Sequence, residues 1–165
     1  MHKRNISHRE FNGLVSNICR QITNSNWKPD YIVGISRGGL LPAVMISHYF
    51  DIPMKPLQVS LRDHEECVSD LGMAEDAFTG KNILIVDDIN DQGSTINWIK
   101  QDWPSGCFPE SETWDNVWGA NVRFAVVFDN LASLADIKMS YCGEEINKAE
   151  KDVWIDFPYE DWWTK

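Results

Sequence analysis

Residues 83–95 read ILIVDDINDQGST, and the change of character inside these positions decides the fold. Ile83 to Val86 are apolar and mostly β-branched, the composition of a strand buried on both faces. Asp87 and Asp88 follow at once, then Asp91, and Gly93, Ser94 and Thr95 stand before a segment with helical spacing, GSTINWIKQ (93–101). A glycine turn followed by hydroxyl residues is a helix start, so the stretch reads as strand, acidic loop, helix.

The same unit occurs upstream. YIVGI (31–35) is a short buried strand, SRGG (36–39) a glycine loop, and LLPAVMISHYF (40–50) a helix whose Pro42 falls in the tolerant first turn. Ahead of it, Ser7 and Glu10 have capping-box spacing, and Phe11, Leu14, Val15, Ile18 and Ile22 recur at helical intervals. Residues 55–61 alternate like a strand, and the acidic stretch 62–80 is expected to be mobile. VRFAVVF (122–128) resumes the sheet, and a shorter strand near 137–142 and VWIDFPY (153–159) close the chain. Residues 102–119 contain two prolines, two glycines and three tryptophans without a sustained period. They read as an irregular insertion whose aromatics pack over the sheet edge or make a subunit contact. Alternating strands and helices of these lengths imply an α/β fold with a mostly parallel sheet covered on both faces.

At 165 residues the chain has the size of one domain, expected to span 1–165. The formal net charge of -10 opposes a nucleic-acid backbone or an anionic membrane as partner. No apolar run approaches membrane-spanning length. Cys19, Cys67, Cys107 and Cys142 show no C-x-x-C spacing and read as free thiols. A soluble, cytoplasmic protein is expected.

In an open parallel sheet, ligands bind beyond the carboxyl ends of the strands, where both loops lie. Asp91, Gln92, Gly93, Ser94 and Thr95 offer consecutive backbone amides and two hydroxyls at a helix start, which is a phosphate cradle. Carboxylates repel phosphate, so Asp87 and Asp88 need another partner: a sugar diol, or a magnesium ion held through water. Arg37 in the other loop is a planar donor suited to a second phosphate group. Taken singly, each element has a plainer meaning. Paired acids after a strand also make simple metal sites in receiver and phosphatase-like folds, and Gly-Gly is most often only a turn.

With these residues together, the chain resembles the type I phosphoribosyltransferases. Their signature for phosphoribosyl pyrophosphate (PRPP) is an apolar strand, two acids, two apolar positions and a Thr-Gly-x-Thr type loop. Asp87, Asp88, Asp91, Gly93 and Thr95 keep that pattern. Asn90, usually apolar, and Gln92, usually threonine, depart from it. GISRGGLLPA (34–43) resembles the pyrophosphate loop of the bacterial xanthine-guanine members, VSLRDHE (59–65) the strand entering their flexible loop, and DVWIDFPYED (152–161) their purine-binding Trp-Ile segment.

The resemblance implies a single-domain type I phosphoribosyltransferase fold with a small hood, whose base-binding segment spans about 137–161. It implies transfer of ribose 5-phosphate from PRPP to a guanine-, xanthine- or hypoxanthine-type base, in purine salvage. Asp87 and Asp88 would bind the ribose hydroxyls, with Mg2+ near Asp88. Asp91 through Thr95 would hold the 5'-phosphate. Ser36, Arg37, Gly38 and Gly39 would hold pyrophosphate, with a strained or cis peptide at Ser36-Arg37. Asp91 would be the catalytic carboxylate near purine N7, Trp154 would stack on the base, Ile155 would offer backbone groups to its edge, and Asn130 would stand where 6-oxopurine enzymes carry a lysine. The chain would be a homodimer or homotetramer. A PRPP- or nucleotide-binding regulator without turnover is the alternative, supported by Gln92 and by a flexible loop with no lysine or arginine between residues 63 and 80.

Overall fold

The structure, a computed structural model, describes residues 1–59, 61 and 67–165. Its elements in chain order are β1 (His2–Asn5), α1 (His8–Asn24), β2 (Tyr31–Ser36), α2 (Leu40–Phe50), β3 (Met54–Gln58), α3 (Leu71–Phe78), β4 (Ile83–Asn90), α4 (Ser94–Ser105), β5 (Val122–Asn130), β6 (Tyr141–Ile146) and β7 (Val153–Asp156). Short 3-10 turns cover Glu112–Asn116 and Trp162–Thr164. Five strands form a parallel sheet in the order β3-β2-β4-β5-β6, and β1 pairs with β7, also parallel, in a separate hood.

Alternation along each strand divides the interior in two. Ile32, Leu84, Val86, Ala125 and Val127 face α1, α2 and the hood, where Phe11, Val15, Ile18, Ile46, Val153 and Ile155 meet them. Val33, Ile35, Ile83, Ile85 and Phe124 face α3 and α4, packing on Met73, Ala77, Ile96 and Ile99. A strand with apolar residues at every position can satisfy both faces only in this layered arrangement, which is why ILIV occupies the central strand. Ser7 caps α1 by accepting from the Glu10 amide at 3.0 Å, as its spacing predicts. Among the described residues, no helix is long and apolar enough to cross a membrane.

Several expectations are corrected. The polar run HKRN carries no strand signal, yet it forms β1, in register from His2 with Val153 to Asn5 with Asp156. Arg4 locks it by pairing with Glu10 and Glu144. Part of the acidic stretch expected to be mobile is the helix α3. Asp70 caps it by accepting from the Met73 amide at 2.9 Å, and it buries Met73, Ala74 and Ala77. Residues 62–66 of that stretch lie outside the described residues. In the 102–119 region, α4 continues through Trp103 to Ser105. Trp103 and Trp114 are core residues, Trp114 donates its indole N–H to the Cys107 carbonyl at 2.8 Å, and Trp118 stacks on Phe124. Trp103 and Trp114 therefore help close the second core, against α3 and β5, rather than packing over the sheet edge. The strand expected near 137–142 lies at Tyr141–Ile146 and joins the main sheet, so the hood consists of β1 and β7 alone.

Candidate functional site

Strands β2 and β4 are neighbours in register, Gly34 opposite Val86, so the loops that leave their carboxyl ends emerge side by side. They enclose a cavity of about 620 Å³, lined by Ser36, Arg37 and Gly38 from one loop and by Asp87 to Thr95 from the other. Tyr159, Glu160, Asp161 and Trp163 from the chain end complete its wall.

Glycines permit this closeness. A Cβ on Gly38 would stand 2.1 Å from an Asp88 carboxylate oxygen, so only glycine lets that acid lie on the loop. Gly93 caps α4 at φ +86°, and a Cβ there would meet the Ala135 amide nitrogen at 2.3 Å. The Ser36–Arg37 peptide is cis. Gly39 lies beneath the cavity rather than on it: its amide donates to the Ile35 carbonyl at 2.8 Å, so it is not among the amides that face a ligand.

The acids are oriented before any ligand arrives. Asp87 accepts from the Asp88 amide and Asp88 Oδ1 from the Ile89 amide, both at 2.8 Å. Asp88 Oδ2 accepts from the Tyr159 hydroxyl at 3.0 Å, which also lies 3.3 Å from the Gly38 carbonyl. Tyr159 thus joins the hood side of the site to both loops. Burial, with the Asp88 charge, holds its phenol protonated far above the ordinary range. Burial also raises the Glu160 carboxyl above its usual value, and Asp88 adds to the shift. Among the described lining residues, Arg37 carries the cationic charge against Asp87, Asp88, Asp91, Glu160 and Asp161.

The phosphate-type loop is braced from outside. The Gln92 carbonyl accepts from the Leu134 amide at 3.1 Å, and Asn97 on α4 donates to the Leu134 carbonyl at 3.0 Å. Asn90 is buried and bridges two partners, donating to Asp129 and accepting from the Ser133 hydroxyl, each at 2.9 Å. Its departure from an apolar residue is therefore a hydrogen-bonded brace between β5 and the loop after it. Burial raises the Asp129 carboxyl, and the Asn90 amide partly offsets this.

At the base-side end the structure redistributes the expected roles. Asn130 is 5% exposed and ties the loops together rather than facing a ligand. Its amide donates to the Asp91 carbonyl at 2.8 Å, and its side-chain oxygen accepts from the Ala132 and Lys148 amides at 3.1 and 3.0 Å. Lys148, in the loop after β6, brings its ammonium to 3.0 Å from Asp91 Oδ1 and 5.9 Å from the centre of the Trp154 ring. Trp154 is 40% exposed, whereas Ile155 beside it is buried in the first core with its backbone in the β1–β7 ladder. The arrangement can hold an anion at Ser94 and Thr95, a polyol at Asp87 and Asp88, and a flat ring at Trp154. Lys148 and Tyr159 are the site residues that sequence reasoning missed. Lys148 sits in the aperiodic polar run NKAEKD, and Tyr159 reads as the end of an apolar strand.

Comparison with known proteins gives a consistent result. The chain is 29% identical over 145 residues to the xanthine-guanine phosphoribosyltransferase of Idiomarina loihiensis, covering 86% of this chain and 76% of that protein. It is 28% identical over 142 residues to the protein of the same name from Cereibacter sphaeroides, covering 83% and 71%. Its fold matches the purine phosphoribosyltransferase of Pyrococcus horikoshii with a TM-score of 0.68 at 24% identity, covering 97% and 95% of the two chains. The sequence profile of the phosphoribosyl transferase domain matches residues 4–161, from the hood strand to the acidic wall of the cavity, and the chain belongs to that family.

Proposed function

We propose that the chain transfers the 5-phosphoribosyl group of PRPP to a purine base, releasing a nucleoside monophosphate and pyrophosphate, as a purine-salvage enzyme. The observation that carries this reading is the meeting of the SRGG and DDINDQGST loops on one cavity, with the exposed Trp154 linked to its Asp91 through Lys148. A base nitrogen forms its bond to C1' as the C1'–O bond to pyrophosphate breaks, the bonding pair leaving with pyrophosphate. Asp91 accepts the proton the base gives up. Ser94, Thr95 and the amides at the start of α4 hold the 5'-phosphate, while Asp87 and Asp88 orient the ribose hydroxyls. Positive charge develops at C1' as the leaving group departs, so fixed dipoles and precise placement do most of the work.

A magnesium ion fits the donors. Asp87 and Asp88 are hard oxygen ligands in a cavity whose acids need countercharge before a pyrophosphate enters. Among the described residues, no cluster of three or more ligating side chains forms a cage, which suits an ion that takes most of its ligands from water and substrate. Such an ion would neutralise the pyrophosphate as it leaves. Four free thiols suit a reducing cytoplasm, and the exposed Leu41, Val44 and Tyr49 of α2 suit assembly into a dimer or tetramer.

The test is to incubate the protein with PRPP, magnesium and each purine base and to follow nucleotide and pyrophosphate. Stoichiometric formation of both is expected. PRPP binding with no base consumed would replace the transferase by a PRPP-binding regulator. Asp91→Ala is expected to lower kcat at least about a hundredfold, the lower range for a lost general base, with PRPP affinity largely kept. Unchanged turnover would remove Asp91 from the chemistry.

A further inference from the structure

The turn that carries Tyr159 into the site is gathered by one ammonium. Lys165 Nζ donates to the Phe157 and Glu160 carbonyls, each at 2.7 Å, and to Asp156 Oδ1 at 3.2 Å. An ammonium has three donors, so all of them are engaged within this one turn. Asp156 is 5% exposed and ends β7, where its carbonyl accepts from the Ile6 amide and its other carboxylate oxygen lies 3.7 Å from the Lys3 ammonium. The Glu160 amide closes the turn on the Phe157 carbonyl at 3.1 Å. Inside it the Tyr159 ring stacks on Phe157 at 5.4 Å, 8° from parallel, and Phe11 meets both edge-on. The phenol is thereby aimed at Asp88, to whose Oδ2 it donates at 3.0 Å. A lysine serving only to balance Asp156 needs no contact with the two carbonyls.

We propose that Lys165 is a positioning residue for PRPP: by pinning the 156–160 turn it aims the Tyr159 hydroxyl at Asp88 and so sets the carboxylate that grips the ribose. The proposal rests on the purine phosphoribosyltransferase reading. A carboxylate orients a diol only when its own torsions are fixed. Asp88 Oδ1 is held by the Ile89 amide and Oδ2 by Tyr159, so loss of the phenol leaves one anchor and frees the carboxylate to rotate. A group that must be ordered when the ligand arrives weakens binding by the entropy of that ordering. Tyr159 in turn lies between β7 and the 3-10 turn Trp162–Thr164, outside the strand ladder that steadies Trp154 and Ile155. The Lys165 contacts to Phe157 and Glu160 do there what a ladder does within a strand. Because its third partner, Asp156, is two residues beyond Trp154 on β7, the same ammonium ties the turn to the hood.

The test is a double-mutant cycle on the affinity for PRPP in the presence of magnesium, measured by calorimetry on wild type, Lys165→Met, Tyr159→Phe and the double variant. Lys165→Met keeps the apolar stem and removes the donors. It is expected to weaken PRPP roughly 3- to 10-fold, the range for one hydrogen bond lost at Asp88, and Lys165→Arg should recover part of the loss. In the Tyr159→Phe background the same change should cost less than about twofold, because the group through which Lys165 acts is already gone. An equal loss in both backgrounds would overturn the proposal, since Lys165 would then act through its charge or through general stability, and so would an unchanged affinity in Lys165→Met. Amide hydrogen exchange on the ligand-free proteins reads the same coupling without substrate. Lys165→Met should speed exchange at Glu160, whose amide closes the turn, and at Ile89, whose amide rests on Asp88. If wild type binds no PRPP or consumes no base, the transferase reading fails separately, and exchange still judges Lys165. Faster exchange at Ile89 upholds its reach to Asp88, and faster exchange confined to residues 160–165 overturns it.

Discussion

Replacing Asn130 by alanine separates two meanings of one residue. As a base ligand, Asn130 could be lost with little effect on stability and a large effect on the base. In the structure it is 5% exposed and serves three backbone groups: the Asp91 carbonyl, which loses a donor, and the Ala132 and Lys148 amides, which lose an acceptor. Three hydrogen bonds lost at a net value of about 0.5–1.5 kcal/mol each cost roughly 2–5 kcal/mol together. That is a large part of the roughly 5–15 kcal/mol that holds a domain folded, but not all of it. For a chain of this size each kcal/mol moves Tm by about 2–4 °C, giving an expected fall of roughly 4–20 °C in thermal unfolding. Because the same side chain fixes Asp91 against Lys148, KM for the base should rise alongside. A Tm within about 2 °C of wild type, with base kinetics alone impaired, would refute the reasoning and return Asn130 to the base. Lysine at this position should be more damaging still, since it supplies no acceptor and buries a charge.

Three further outcomes are expected. Gly93→Ala places a Cβ 2.3 Å from the Ala135 amide nitrogen at φ +86°; left-handed strain of about 1–2 kcal/mol plus overpacking of about 1–3 kcal/mol should appear as lower stability in urea unfolding, and unchanged stability would show that the 134–135 segment yields freely. Tyr159→Phe removes the hydroxyl that orients Asp88; a loss of about 1.5–3 kcal/mol in stability and a severalfold rise in the KM for PRPP are expected, and wild-type values for both would leave the Tyr159 contact without consequence. Burial pushes the Cys19 thiol from 9.0 up to about 11. The folded pKa lies above the unfolded one, so the stability from the neutral thiol is complete below pH 9.0 and is lost as pH rises through about 11. Urea unfolding across that window should show declining stability, with a shallower slope in Cys19→Ala; an identical slope would mean that Cys19 does not carry the effect.

Much of the cavity lining was legible because its signals are local. A glycine turn, hydroxyls at a helix start and acids at a strand end are written in consecutive residues, so ILIVDDINDQGST and SRGG could be placed before any fold was known. The four-position spacing of the first helix and the all-apolar β4 likewise follow from periodicity within one element. What failed were features without local pattern. HKRN is polar and short, and becomes a strand only because β7 offers it a ladder and Arg4 finds Glu10 and Glu144. The tryptophans after α4 look irregular in sequence because the surfaces they cover, α3 and the lower half of β5, come from distant positions.

By itself, then, the sequence determined the α/β layering, the two loops and the kind of ligand they suit, since each depends on side-chain chemistry over a few neighbouring residues. Only the tertiary structure decided which groups meet. Asn130 and Lys148 are 18 residues apart and Asp91 lies 39 residues before Asn130, yet hydrogen bonds across the ends of β4, β5 and β6 bring all three together. Tyr159 reaches Asp88 across 71 residues in the same way. Partnerships of this kind arise from the order of strands in the sheet, and strand order is a property of the whole chain that no short stretch contains.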